Sequence, residues 1–262
     1  QSAFAEISRD YLGQVAQHIA STIEMEMRRH VEATTAVSKI ETLRETIRLR
    51  NLGTLAPAAI QAANEQLVSL VQSRSLEHQG LFLCDREGTV FAGALRSGDV
   101  GPYTHIDIRA RAYFQQARDT GTTVVSELIR SKVQDVPIVV IAVPVHDECG
   151  AFEGLIGLSV EISHLSSFIV QQTPRQIGTP FAIDRQGMIF AHHDSSRTFG
   201  APLSHMPGME ILASRMVRGE AGVESYRLPD RTEKMAAFAP VPLTGWSVAV
   251  SMRASQFVAA SK

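Results

Sequence analysis

The chain reads as an α+β protein: one long N-terminal helix, then two copies of a module built on an antiparallel sheet. Two observations predict this. The string Asp85-Arg86-Glu87-Gly88-Thr89-Val90-Phe91-Ala92 returns as Asp184-Arg185-Gln186-Gly187-Met188-Ile189-Phe190-Ala191, with the same apolar approach from Phe82 and from Phe181. Each copy is an apolar run, a turn of Asp and Gly, and an alternating run of β-branched and aromatic residues, which is the chemistry of a hairpin. From Phe4 to about Arg50 there is no Pro and a single Gly, and apolar residues recur at helical spacing.

In that N-terminal stretch Leu12, Val15, Ile19, Ile23 and Met27, then Ile40, Leu43 and Ile47, form one apolar stripe. One helix, or two nearly collinear ones, at about 1.5 Å per residue would reach roughly 70 Å, so it must span both modules or protrude. The opposite face, with Arg28, Arg29, Glu32, Lys39, Glu41, Arg44, Glu45 and Arg48, is a solvated face. Part of the stripe is expected to pair with a second protomer, making a homodimer through this helix. After a loop at Asn51 to Ala56, Pro57 suits a first helical turn and Ala58 to Gln72 resume the helical period.

The first sheet is expected to begin near Gly80 with the hairpin, followed by a segment from Tyr103 to Arg118, a strand at Thr122 to Ser126, and closing strands at Val136 to Val145 and Gly154 to Val160. A helical connector at Ser163 to Gln172 and a joint at Pro174 to Gly178 lead to the second hairpin. A helix at Pro207 to Arg218, a strand at Gly222 to Arg227, a turn at Pro229-Asp230 and strands at Ala236 to Pro242 and Gly245 to Val250 complete that module, and a helix starts at Ala254. The expected segments are therefore 1–56, 57–170, 171–253 and 254–262.

With 262 residues, 44% of them apolar, and a net charge of −2, the chain has an ordinary globular composition. A pI near 6.5 with mixed charge leaves no basic footprint for nucleic acid. No run approaches the roughly 20 apolar residues of a membrane-spanning helix. Cys84 and Cys149 either pair or stand as separate thiols; spacing does not decide. His192-His193-Asp194 is the one string with metal-ligating character. Adjacent strand residues point to opposite faces, and no third His or Cys lies at a zinc-like spacing, so no metal and no cofactor are expected. The sequence contains no His-Glu-x-x-His helix, Gly-x-Ser-x-Gly elbow or phosphate-cradling Gly loop, which argues against an enzyme.

The order of long helix, duplicated module and exiting helix resembles the double Cache sensor domains of bacterial chemoreceptors and sensor kinases, whose modules are PAS-like. The segment Arg111-Ala112-Tyr113-Phe114-x-x-Ala117 looks like that family's Arg-x-aromatic-aromatic-x-x-Ala helix, and Pro240-Val241-Pro242-Leu243-Thr244-Gly245-Trp246 is similar to the corresponding end in chemotaxis receptors. The resemblance implies a periplasmic or extracellular domain of an inner-membrane receptor, with spans just outside this chain. A membrane-distal first module would hold a small molecule, and a membrane-proximal second module would relay its state.

The candidate ligand-binding residues are Arg111, Tyr113, Phe114, Tyr103, His105, Arg109, Ser126 and Ser159. A guanidinium beside aromatic walls suits a carboxylate, which its planar fork meets with two charge-assisted bonds. The alternative is that Arg111 merely pairs with Asp107 or Asp119 and the aromatics are core. The resemblance places an acid on the last strand of the distal module of amino-acid-sensing members, where this chain has Ser159, and a Tyr upstream of the Arg, where it has Ile106. Both departures remove recognition of an α-amino group. The expected ligand is a small carboxylate of the acetate, propionate, pyruvate or lactate class bound by a chemotaxis receptor. The alternatives are a histidine kinase or diguanylate cyclase sensor binding a C4 dicarboxylate, with Arg109, His105 or Lys132 as second cation, or a ligand-free dimerisation or protein-docking module. Tyr103, Ser126 and Ser131 are candidate hydroxyl donors.

Overall fold

A computed structural model of the chain describes residues 2–73, 80–171 and 178–255. In chain order the elements are α1 (Ser2–Val37), α2 (Glu41–Asn51), α3 (Pro57–Val71), β1 (Gly80–Asp85), β2 (Thr89–Leu95), β3 (Ile106–Asp107), α4 (Ala112–Thr120), β4 (Val124–Val125), β5 (Ile129–Arg130), β6 (Pro137–His146), β7 (Phe152–Glu161), α5 (Ile162–Gln171), β8 (Thr179–Ile183), β9 (Ile189–His192), α6 (Glu210–Val217), β10 (Gly222–Arg227), β11 (Glu233–Val241) and β12 (Trp246–Arg253). The first sheet runs β3-β2-β1-β7-β6-β4, with β5 also on β6, and the second runs β10-β11-β12-β8-β9. All pairings are antiparallel. Written from the hairpin outward, both sheets share one order, in which the last strand of the module lies between the first strand and the penultimate one.

The duplication extends to individual hydrogen bonds. Asp85 Oδ1 accepts from the amides of Glu87 at 3.1 Å and Thr89 at 2.9 Å, and Asp184 Oδ1 accepts from Gln186 at 2.9 Å and Met188 at 2.8 Å. Gly88 and Gly187 turn at φ 86° and 82°, where a side chain would be strained. Each hairpin also carries a β-bulge, after Leu83 and after Ala182.

The N-terminal stretch is two helices rather than one. Nothing between Thr34 and Ile40 is Pro or Gly; instead the hydroxyls of Thr34, Thr35 and Ser38 donate to the carbonyls of His30, Val31 and Thr35, competing with the backbone ladder. The amides of Lys39 and Ile40 then fall back on tight bonds to Ala36 and Val37, and Ile40 is extended before α2 starts. With 36 residues, α1 is about 54 Å long. Leu12, Ile19, Ile23, Met27, Leu43 and Ile47 are buried within the chain while Val15 and Ile40 stay partly exposed, so most of the stripe expected to meet a second protomer is already covered. Among the described residues, the exposed apolar side chains on α1 are Tyr11 and Met25. No described helix is long and apolar enough to cross a membrane.

Two compact units result, and they divide the chain differently from the expected segments: residues 28–161 form one, and residues 1–27 with 162–262 form the other. In the first unit α2 and α3 cover one face of the sheet. Asn51 bonds the Glu153 carbonyl and the Arg86 amide, Asn64 accepts from the Gly93 amide, and Arg44 reaches the His146 carbonyl. The other face carries Phe82, Val140 and Leu155 toward α4. In the second unit Glu24 of α1 accepts from the Leu243 amide at 2.9 Å, while Phe181, Phe238 and Ala249 face α6. Helix α6 begins later than the expected Pro207 because Gly208 turns at φ 86°. Cys84 is buried, Cys149 is exposed, and both are free. Most of the expected joint at Pro174 to Gly178, and the C-terminal helix beyond Ser255, lie outside the described residues.

Two consequences are measurable. Asp184→Ala strips the acceptor from two turn amides and is expected to cost about 2 kcal/mol in denaturant unfolding, with Asp184→Asn costing less. His30 is fully buried on α1, and burial, aided by neighbouring Arg29, lowers its pKa from 6.5 to about 4. The unfolded chain takes up a proton that the folded one refuses. Stability is therefore complete above pH 6.5 and drains away as pH falls toward 4. His192, lowered to about 4, acts with the same sign. Urea midpoints are expected to fall through that window, and His30→Met to flatten part of the slope.

Candidate functional site

The site starts from glycines. On β1, Phe82 faces Gly93 of β2 and Gly157 of β7, and Gly80 faces Ser159. A Cβ on Gly157 would collide with the Phe82 ring, and one on Gly80 or Gly93 would collide with Tyr103. The bare backbone lets Phe82 and Tyr103 stack on the sheet with centroids 5.9 Å apart at 19°. The Tyr103 hydroxyl is buried and makes no hydrogen bond of normal geometry. Burial pushes its pKa up to about 12, with Ser159 nearby acting in the opposite direction.

Arg111 caps the N-terminus of α4 in extended conformation, its amide donating to Ile108 and its carbonyl accepting from Phe114 and Gln115. Its guanidinium donates to the Arg130 carbonyl at 3.0 Å, and no described carboxylate lies within ion-pair distance. Most of its donors remain available. Asp107 is taken by Arg109 and Asp119 by Arg118. Tyr113 is buried, which raises its pKa, while Arg111 works against that rise.

These groups line one cleft with about 350 Å³ of free space, part of it open to solvent. Its apolar wall is Phe82, Val90, Ile106, Ile108, Ile138 and Val140. Its polar lining is Tyr103, Tyr113, Ser131 and Ser159, with three cations, Arg111, Arg130 and Lys132. Among the described residues no carboxylate lines it. Lys132 donates to the Asp107 carbonyl at 2.5 Å, and Arg130 donates to the Asp135 carbonyl at 2.8 Å and lies 3.6 Å from its carboxylate. Chemically this is an apolar slot with a cationic mouth, suited to an anion that has an apolar body.

A family profile described as Cache domain (dCache_1) matches residues 3–261. The chain belongs to the double Cache family. Among solved structures, the sensory domain of the Campylobacter jejuni chemoreceptor Tlp3 with isoleucine bound is similar at 17% identity and TM-score 0.73, covering 98% of this chain and 97% of that one. The extracellular domain of the putative histidine kinase mmHK1S-Z3 matches at 15% identity and TM-score 0.78, covering 97% of each chain. That of rpHK1S-Z16 matches at 18% and 0.74, covering 98% and 99%. No curated protein matches significantly in sequence.

Within this Cache domain, Arg111, Tyr113, Tyr103 and Ser159 are brought together, and Ile106 lines the same cleft. Four expected residues fall elsewhere. His105 sits at φ 60° in an exposed turn that directs it outward. Arg109 is exposed and held by Asp107, whose carboxyl it pulls down to about 2. Ser126 is buried, its hydroxyl donating to Glu127 and accepting from Val140. Phe114 is core, edge-on to Phe152. The rings of His192 and His193 lie 4.6 Å apart rather than on opposite faces, because β9 ends at His192. No group of three or more His, Cys, Asp or Glu among the described residues could hold a metal ion. Arg130 was missed because it lies in a two-residue strand with no periodic signal. Tyr103→Phe removes a buried hydroxyl that Ser159 approaches without a hydrogen bond of normal geometry, so the melting temperature of the ligand-free protein is expected to change little, while ligand affinity falls.

Proposed function

We propose that this Cache domain is an extracytoplasmic sensor of a transmembrane receptor and that its first module binds a small carboxylate lacking an ammonium group. The observation that carries the reading is the charge of the cleft, which is lined by Arg111, Arg130 and Lys132 and, among the described residues, by no acid. Tlp3 sensory domains are described with isoleucine and with L-valine bound. An amino acid brings a cation that needs a countercharge on burial, and here Ser159 and Ile106 offer no carboxylate. The apolar wall favours a short monocarboxylate anchored on Arg111. Lys132 and Arg130 at the mouth support a second reading, a C4 dicarboxylate, because a second cation is present. The work is binding rather than turnover.

The receptor's output is that of a chemotaxis transducer or a histidine kinase. Helix α1 supplies residues to both compact units, so a difference in ligand affinity between two of its positions, worth about 1–3 kcal/mol, is enough to transmit occupancy. A dimer through α1 would use the face holding Tyr11 and Met25, since the apolar stripe is covered.

Melting the protein in carboxylate-free buffer with C2 to C4 acids and with amino acids tests the reading. Ligand at 100 times its dissociation constant adds about 2.7 kcal/mol, enough to raise the melting temperature by several degrees. An acid is expected to stabilise the parent and lose that effect in Arg111→Ala. Ser159→Asp is expected to transfer preference toward amino acids. Stabilisation by amino acids alone, or by acids equally in Arg111→Ala, contradicts the proposal.

A further inference from the structure

The duplication carries more than the turns. Thr179 faces Ser251 across β8 and β12 as Gly80 faces Ser159 across β1 and β7. Ser251 thus takes the place of Ser159, and Phe181 and Ile189 take those of Phe82 and Val90. These second-module residues line a cleft of their own, with about 420 Å³ of free space, part of it open to solvent.

Its polar lining repeats the chemistry of the first cleft with different residues. The Tyr226 hydroxyl, from β10, meets the Ser251 hydroxyl at 2.6 Å in a buried pair. Lys234 and Arg197 supply positive charge, and among the described residues no carboxylate side chain lines the space. Arg197 lies 3.6 Å from Asp194, outside the lining. His192 Nδ1 lies 2.9 Å from the Asp194 amide and 3.2 Å from the Asp194 carbonyl oxygen, which leaves its Nε2 toward the cleft side chains. Burial, then Arg197 and Arg253, lower the Lys234 pKa, with Asp230 acting against them. An anion among these groups would relieve that repulsion. Met206 and Met209 add a pliable apolar wall.

We propose that this cleft is a second ligand site, in the second module, for a small carboxylate with an apolar body. Its carboxylate meets Lys234 and the Ser251 and Tyr226 hydroxyls, and its body lies against Phe181, Met206 and Met209. The site is independent of the first module's ligand.

Methionine-methyl NMR of the 262-residue chain reads it directly. Isovalerate and phenylacetate are titrated into the parent, into Arg111→Ala, which disables the first cleft, and into Lys234→Gln. Saturable shifts of Met206 and Met209 are expected in the parent and in Arg111→Ala. In Lys234→Gln, with the remaining methionine signals unmoved, binding should be roughly tenfold weaker, the cost of one charge-assisted contact. Shifts that are absent, that vanish in Arg111→Ala, that are unchanged in Lys234→Gln, or that inorganic phosphate reproduces would overturn the proposal. Loss of first-cleft binding alone leaves these signals untouched, so the two readings fail separately.

Discussion

In both modules the last strand is laid down between the first strand and its own partner, and its register decides what each cleft contains. A slip of one residue in β7 would turn Gly157 and Ser159 away from the cleft and bring Leu158 and Val160 into it. The observed register sets Gly157 under Phe82, which leaves room for the ring, and Ser159 beside Tyr103. Pairing of β12 with β8 does the same for Ser251. The two bulged hairpins, each pinned by one aspartate oxygen taking two amides, start both sheets in the same phase.

On that platform the first cleft is an electrostatic statement. Guanidinium and ammonium groups at its mouth make bonds to carbonyl oxygens, and of the three cations Arg130 also lies within ion-pair distance of Asp135, outside the lining. Nearby acids are occupied elsewhere, Asp107 by Arg109 and Asp119 by Arg118. On the proposed reading a cleft arranged this way favours an anion over a free amine, because a buried ammonium without a countercharge costs several kcal/mol. The buried Tyr103 hydroxyl, with no hydrogen bond of normal geometry among the described residues, would add a donor for the proposed carboxylate.

Much of this was legible in the residues. The duplicated Asp and Gly turn announced two modules because turn chemistry is local, and the Arg-x-aromatic motif found Arg111 and Tyr113 because helix capping fixes where they sit. Where several local effects compete, the residues said less. The back-bonding hydroxyls of Thr34, Thr35 and Ser38 end α1 without a Pro or Gly, so of the one or two helices the stretch allowed it forms two. His105 and Arg109, chosen for their charge, are turned outward by a positive φ and by a neighbouring aspartate. Arg130, which joins the anticipated Lys132 in the cleft, comes from a two-residue strand whose course follows tertiary packing, which no spacing rule describes. The second cleft was hidden because its tyrosine and its lysine sit on strands, not at the position matching Arg111.

The central claim is that charge without a balancing acid selects the first cleft's ligand. Calorimetric titration of acids against their α-amino counterparts, propionate with alanine and isovalerate with valine, tests it most directly, because each pair differs only in the group the cleft cannot accept. The account predicts that at least one acid binds roughly tenfold or more tightly than its amino counterpart. Valine or alanine binding as tightly as the matched acid would contradict it.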